Sequence, residues 1–253
     1  MKNKLLLTYS LILLTQCALR SQTICVGPDE RRIIHGQRFE GIIGGVIFND
    51  GTLTLNRCEF IGNWGSAAAG TAIFNRGKLV VRHCRFEGNR DYFGAGGAIF
   101  SHGQLQMIYC DFVRNVASSA GAVESSGDAK ISHCTFIENV ATHHVGAIAN
   151  DGRMRIKHSS FIGNICADGA AGAIGNYGFL SVDHSDFFNN ISGKRFPDGP
   201  SCGAILNRSP EPVLLRKCVF EGNQGLYFYP LPPGVEFDCG LFENKHERQN
   251  YFQ

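Results

Sequence analysis

The chain has 253 residues, 43% of them hydrophobic, which is enough to bury a core and too apolar for a disordered chain. Its formal charge is +2, and it falls to zero once Lys2 and Lys4 are set aside with the leader described next, so no electrostatic case for nucleic acid exists. Glycine is abundant, at 31 residues, against a usual share of about 7%, which points to one tight backbone position used many times.

Lys2 and Lys4 precede an apolar run from Leu5 to Leu14, too short to span a bilayer, and small or polar residues follow around Cys17, Ala18 and Ser21. Residues 1–19 are therefore expected to be a signal peptide, and the protein to be secreted or held at a cell surface. No later apolar run reaches about 18 residues, so no transmembrane span is expected in the mature chain. Residues 20–43, with "RRIIHGQRFEGII", read as an N-terminal cap.

From Gly44 the chain repeats itself. "GGVIFNDGTLTLNRCEFIGN" ends at Asn63 and "GTAIFNRGKLVVRHCRFEGN" at Asn89. "GGAIFSHGQLQMIYCDFVRN" ends at Asn115, and further copies close at Asn139, Asn164, Asn190 and Asn223. A worn copy, "CGLFEN", ends at Asn244. The closing asparagines are 26, 26, 24, 25, 26 and 33 residues apart. A tolerant period near 25 is the mark of a solenoid. The spacing of 33 holds an insertion, "SGKRFPDGPSC", whose Gly, Pro and charge predict a surface loop.

Within each copy, apolar residues stand two apart (Leu53 and Leu55, Leu79 and Val81, Cys110 and Phe112), a strand signal. Turn residues separate the pairs, and no helical stripe occurs. The prediction is an all-β, right-handed parallel β-helix of about 7–8 coils, about 25 residues per coil. Its repeats span 44–244, each coil holding three short strands, and a tail occupies 245–253.

Stacked coils give the repeated residues a physical reason. Asn63, Asn89, Asn115, Asn139, Asn164, Asn190 and Asn223 should form a buried ladder, each amide bonding to its neighbour along the axis. Asn49, Asn75, Ser101, Ser125, Asn150, Asn176 and Asn207 should form a second, and the phenylalanines an inner stack. Asn190 and Asn207 also carry glycosylation patterns, but their places in the ladders predict poor modification.

The pairing of Gly96-Gly97-Ala98-Ile99 with Phe112 to Asn115, and its weaker copies, resembles the repeats of the chlamydial polymorphic outer-membrane proteins. The resemblance covers about Gly44 to Asn244. It implies a β-helical passenger and a surface adhesin role. The membrane barrel by which those proteins autotransport has no counterpart in "KHERQNYFQ" after Asn244.

Cys58, Cys84, Cys110, Cys134 and Cys218 share one inward column with Ser159 and Ser185. Neighbouring Cβ atoms there should be about 4.8 Å apart, long for a relaxed disulfide, so packed thiols are expected. Cys166 and Cys202 lie outside that column, in one bend about one coil apart on either side of the coil ending at Asn190, and a Cys166–Cys202 disulfide is predicted to restrain the insertion that ends at Cys202. No local ligand pair suggests a metal.

His83, His133, His158 and His184 each precede the inward Cys or Ser and should sit in an exposed bend, as polar residues or as a metal-binding or pH-sensing row. Phe48, Phe74 and Phe100 form a stripe that either binds a partner or is covered by the cap.

Outward positions run Thr52, Lys78, Gln104, Asp128, Arg153, Phe179 and Thr54, Val80, Gln106, Lys130, Arg155, Ser181. A third column is Glu59, Arg85, Asp111, Thr135, Ser160, Asp186. None gathers the carboxylates that glycan hydrolases and calcium-dependent lyases require. No catalytic, cofactor or metal residue is assigned. The reading is a secreted or surface-attached, non-enzymatic β-solenoid that serves as a scaffold or adhesion surface for a protein or glycan. The alternative is a carbohydrate-active β-helix.

Overall fold

A computed structural model describes residues 23–65, 70–193, 201–225 and 241–243. The expected leader, Cys239, Asn244 and the tail lie outside these residues. The described chain is all strand and turn, wound into a right-handed parallel β-solenoid. One turn shows the plan: Ile99–Ser101, Gln104–Ile108, Asp111–Val113 and Val116–Ala117 each pair in parallel with the equivalent strands of adjacent turns. The four kinds of strand build four sheets, here numbered 1 to 4 in that order, with nine, eight, eight and six strands.

Two features differ from the sequence reading. Each full coil has four strands, not three, because a short strand follows the closing asparagine. Six turns carry all four, and the partial turns at the ends account for the larger number expected from the repeats. The stretch read as a cap winds as a further coil: Ile24–Val26, Arg31–His35 and Arg38–Glu40 pair in register with the next turn.

Alternation sends every second side chain inward. Leu105, Met107, Cys110 and Phe112 are 0–2% exposed, as are their equivalents in neighbouring coils. Phe39, Phe60, Phe86, Phe112, Phe136, Phe161, Phe187 and Phe220 form one stack with centroids 4.7–4.9 Å apart. That repeat equals the strand spacing, so ring contact and backbone pairing are satisfied together.

The corners are fixed by different chemistry. Between sheets 1 and 2 runs a glycine column: a Cβ on Gly103 would lie 2.0 Å from the carbonyl oxygen of Gly77. Between sheets 2 and 3 the chain turns through a left-handed residue at Arg57, His83, Tyr109, His133, His158, His184 and Lys217. Between sheets 3 and 4 it turns at Gly62, Gly88, Arg114, Glu138, Gly163, Asn189 and Gly222, again left-handed, and the asparagine follows at once.

Candidate functional site

The asparagine column is a closed hydrogen-bond system. Asn139 Oδ1 accepts from the backbone N–H of Asn115 (3.1 Å) and from its Nδ2 (3.0 Å). Asn139 Nδ2 donates to Asn164 Oδ1 (3.0 Å) and to the Phe112 carbonyl (2.9 Å). The pattern runs from Asn63 through Asn89, Asn115, Asn164 and Asn190 to Asn223. Both lone pairs and both amide protons of a central member are used, which leaves nothing to offer a ligand. The second column is bonded from Asn49 to Asn75 to Ser101 and from Asn150 to Asn176 to Asn207. It breaks at Ser125, whose hydroxyl is buried without a hydrogen-bond partner.

The cysteines of the inner column are also structural. Cys58, Cys84, Cys110 and Cys134 are buried and free. The Cys58 sulfur and burial hold the Cys84 thiol above its ordinary range, and the Cys134 sulfur and burial do the same for Cys110. The expected Cys166–Cys202 bridge is not formed: Cys166 is a free thiol, which burial pushes up to about 12. The reason is register. Cys166 stands opposite Ser192, whereas Cys202 stands opposite Ala171, five residues further along the same strand. Cys25, in the first coil, is disulfide-bonded.

His83, Tyr109, His133, His158 and His184 form an outer stack with centroids 4.6–5.1 Å apart, held by the left-handed corner. The rings face one another rather than a common point. Among the described residues no group of three His, Cys, Asp or Glu could hold a metal ion.

On the outer face of sheet 1, Phe48, Phe74 and Phe100 pack in a row, with His102 edge-on to Phe100 at 4.5 Å. The first coil does not fold over them, because Ile24–Val26 extends the sheet instead. Glu124 continues this column. Burial pushes its carboxyl above the usual range, and Ser119 partly offsets the shift. Farther along, Val145, Ala149, Ala170, Ala171, Cys202 and Leu206 close the face as a small second core.

The outer face of sheet 2 is different. It carries an open groove of about 390 Å³ across four coils. Lys78, Val80, Gln104, Gln106, Asp128, Lys130, Arg153 and Arg155 line it, and the core residues Leu79, Leu105 and Ala129 alternate with them, pointing inward. Register places Lys78 beside Gln104, Asp128 beside Arg153, and Lys130 beside Arg155. The Arg153 and Arg155 guanidiniums lie 4.7 and 5.4 Å from the centroid of the Phe179 ring. Among the described residues no ion pair joins Lys78, Lys130, Arg153 or Arg155 to a carboxylate. By contrast Arg38, Arg76, Arg85, Arg114 and Arg216, outside the groove, all have one. The single carboxylate of the groove, Asp128, has no second acid beside it, so the face lacks an acid–base pair for glycoside cleavage.

A family model described as "Right handed beta helix region" matches residues 22–196. The chain belongs to the right-handed β-helix family. The match starts where the first described coil starts, so the β-helix includes the stretch read from sequence as a cap. No curated protein and no solved structure matches this β-helix. No helix of the described residues is long and apolar enough to cross a membrane.

Sequence reasoning placed Asp128, Lys130, Arg153 and Arg155 in adjacent outward columns but assigned them no role. It missed Phe179 as the ring that orients both arginines, although Phe179 ended the same outward column. The missed signal was the like-charged Lys130 and Arg155 on adjacent coils with no acid to separate them.

Proposed function

We propose that this β-helix is a secreted or cell-surface interaction scaffold whose sheet 2 face is its binding surface, and that it is not an enzyme. The observation that carries the reading is the groove itself: among the described residues its cations have no carboxylate partners, and its lining holds one acid and no catalytic pair. The ladders and ring stacks hold the coils rigid, so side chains on the face are presented in fixed rows and lose little freedom on binding. The repeat resemblance to surface adhesins supports the same reading. A carbohydrate-active β-helix is the alternative.

Both are tested by one comparison. The purified protein is applied to cultured cells and, separately, incubated with a panel of polysaccharides while reducing ends and unsaturated uronate are measured. Saturable retention on cells with no product release is the expected result. Steady release of sugar fragments would make the protein an enzyme and overturn the proposal.

A further inference from the structure

We infer that the outer face of sheet 4 is a self-association surface, on which two copies of this chain pack as an antiparallel dimer. This face lies apart from the sheet 2 groove and does not depend on what that groove binds.

At the start of each sheet 4 strand one residue points outward and the next inward, where Ala117, Ala141, Cys166 and Ser192 are fully buried. The outward column is apolar almost throughout. Ile43 bridges to Trp64 and Trp64 to Arg90, and register carries the column on through Val116, Val140 and Ile165 to Ile191. Seven members at the ordinary strand spacing make a strip about 29 Å long. Tyr92, edge-on to Trp64, and Phe93 widen it on the side of the return to sheet 1. Of the ten large hydrophobic residues exposed among the described residues, Ile43, Trp64, Tyr92, Phe93 and Ile165 lie on this strip and Ile162 beside it. Scattered single residues of this kind are normal on a monomer, whereas a contiguous patch marks an interface.

The area suits a second copy. Trp64 and Tyr92 are each 46% exposed and Phe93 is 85% exposed. At the usual 150–250 Å² per aromatic side chain, these three alone leave about 400 Å² in water. Ile43, which is 75% exposed, and the rest of the column bring the strip toward the roughly 800 Å² per partner of a standard interface. A second copy offers an equal strip of the same length.

Charge selects the orientation. Arg90 is the one charged member of the column, and its guanidinium lies 5.9 Å from the centroid of the Trp64 ring. Among the described residues the arginines in ion pairs are Arg38, Arg76, Arg85, Arg114 and Arg216, and neither Arg90 nor the exposed corner residue Glu138 takes part in one. When two strips face each other about a dyad at Val116, the coil order reverses. Ile43 then meets Ile191 of the second copy, Trp64 meets its Ile165, and Arg90 reaches the coil that carries its Glu138. Two Arg90–Glu138 pairs close the rim. The parallel arrangement would set Arg90 against Arg90, and like charges so placed oppose association. A lipid surface would accept Phe93 and Ile43 but would leave Glu138 without a cation.

The test is sedimentation equilibrium of the full chain from about 0.1 to 100 µM, the range in which a modest interface of this size is populated. A monomer–dimer equilibrium is expected. Trp64 is the only tryptophan, so its emission should move to the blue as the dimer forms. Ile165→Lys, at an exposed position, should weaken association about tenfold or more with an unchanged circular dichroism spectrum. Arg90→Glu and Glu138→Arg should each weaken it, and the two changes together should restore it. Arg114 already turns the equivalent corner of the preceding coil, so Glu138→Arg keeps the fold, and urea midpoints measured on the dilute single chain report folding alone. A chain that stays monomeric throughout, a dimer indifferent to Ile165→Lys, or a charge exchange that fails to restore association would overturn the inference. Binding of a monomeric chain to phosphatidylglycerol vesicles with the same shift in Trp64 emission would also overturn it and assign the strip to lipid.

Discussion

Replacing Asn139 by Ala removes one member from the middle of the closed ladder. The Asn115 backbone N–H and one Asn115 amide proton then lose Asn139 Oδ1, their acceptor at 3.1 and 3.0 Å. The contact from Asn139 Nδ2 to Asn164 Oδ1 also goes, but that oxygen keeps the bond from the Asn139 backbone N–H at 3.0 Å. Two buried donors are thus orphaned, at about 1–3 kcal/mol each. A water entering the vacated space would recover part of this, which leaves an expected loss of about 3–4 kcal/mol. Asn223→Ala orphans the same two donors of Asn190, but Asn223 is itself only half-buried and water reaches the site. Its loss should be about 1 kcal/mol. Equilibrium urea unfolding, followed by far-ultraviolet circular dichroism, compares the two variants with the parent through their midpoints at a common slope. Equal losses at Asn139 and Asn223, or a loss under 1 kcal/mol at Asn139, would refute the account of the ladder as a burial-dependent hydrogen-bond chain.

Three other outcomes are expected. Under native conditions an alkylating reagent should modify Cys218, which is half-buried, well before Cys58, Cys84, Cys110 or Cys134, and all five should react in denaturant. Peptide mapping that finds Cys110 modified first would break the inner column. Because burial raises the folded-state pKa of Glu124, the favourable contribution of its protonated form is complete below the ordinary carboxylate range and is lost as pH rises through the raised value. Glu124→Gln should therefore stabilise the protein at pH 7 and make little difference near pH 4, as read from thermal midpoints, and a gain that is the same at both pH values would remove the argument. Glu138 turns through the left-handed region (φ 52°) at a corner where Gly62, Gly88 and Gly163 serve in other coils. Glu138→Gly should be neutral or stabilising by up to about 1 kcal/mol, and a large loss in the same urea assay would show that the side chain does more than turn the corner.

The periodic part of the molecule is legible in sequence because each inward column repeats one residue type at nearly constant spacing. Phe60, Phe86 and Phe112 need only the period to be placed. The first coil is harder to see: Ile42 stands where later coils have asparagine, so the "FxxN" signature is missing although Phe39 joins the ring stack. The fourth strand is also hidden, because pairs such as Arg90-Asp91 and Val116-Ala117 share no residue type that recurs. Cys166 and Cys202 were paired by counting from the corner asparagines. The count could not see that Ile165–Ala171 continues as strand, which carries the chain well past Cys166 before Ala171 meets Cys202. The groove was half legible: its columns follow from register, but the absence of ion pairs and the ring beneath the arginines required side-chain positions.

Three corners of each central coil act as rulers, and one does not. In the six coils from Asn49 to Asn190, glycine contact, the left-handed turn and the asparagine fix how many residues pass from sheet 1 to sheet 4; the first and last described coils each take two more residues between sheets 1 and 2. The return from sheet 4 to sheet 1 has no such gauge. Seven residues separate Asn115 from Val123, nine separate Asn164 from Ile174, and fourteen separate Asn190 from Ile205. Yet Ile205 still meets Ile174 and Asn207 still meets Asn176. Length added at this one corner leaves the register of the next coil unchanged, so variation can accumulate there without disturbing the coils. The same corner is the natural port for displaying a foreign peptide on an otherwise rigid rod.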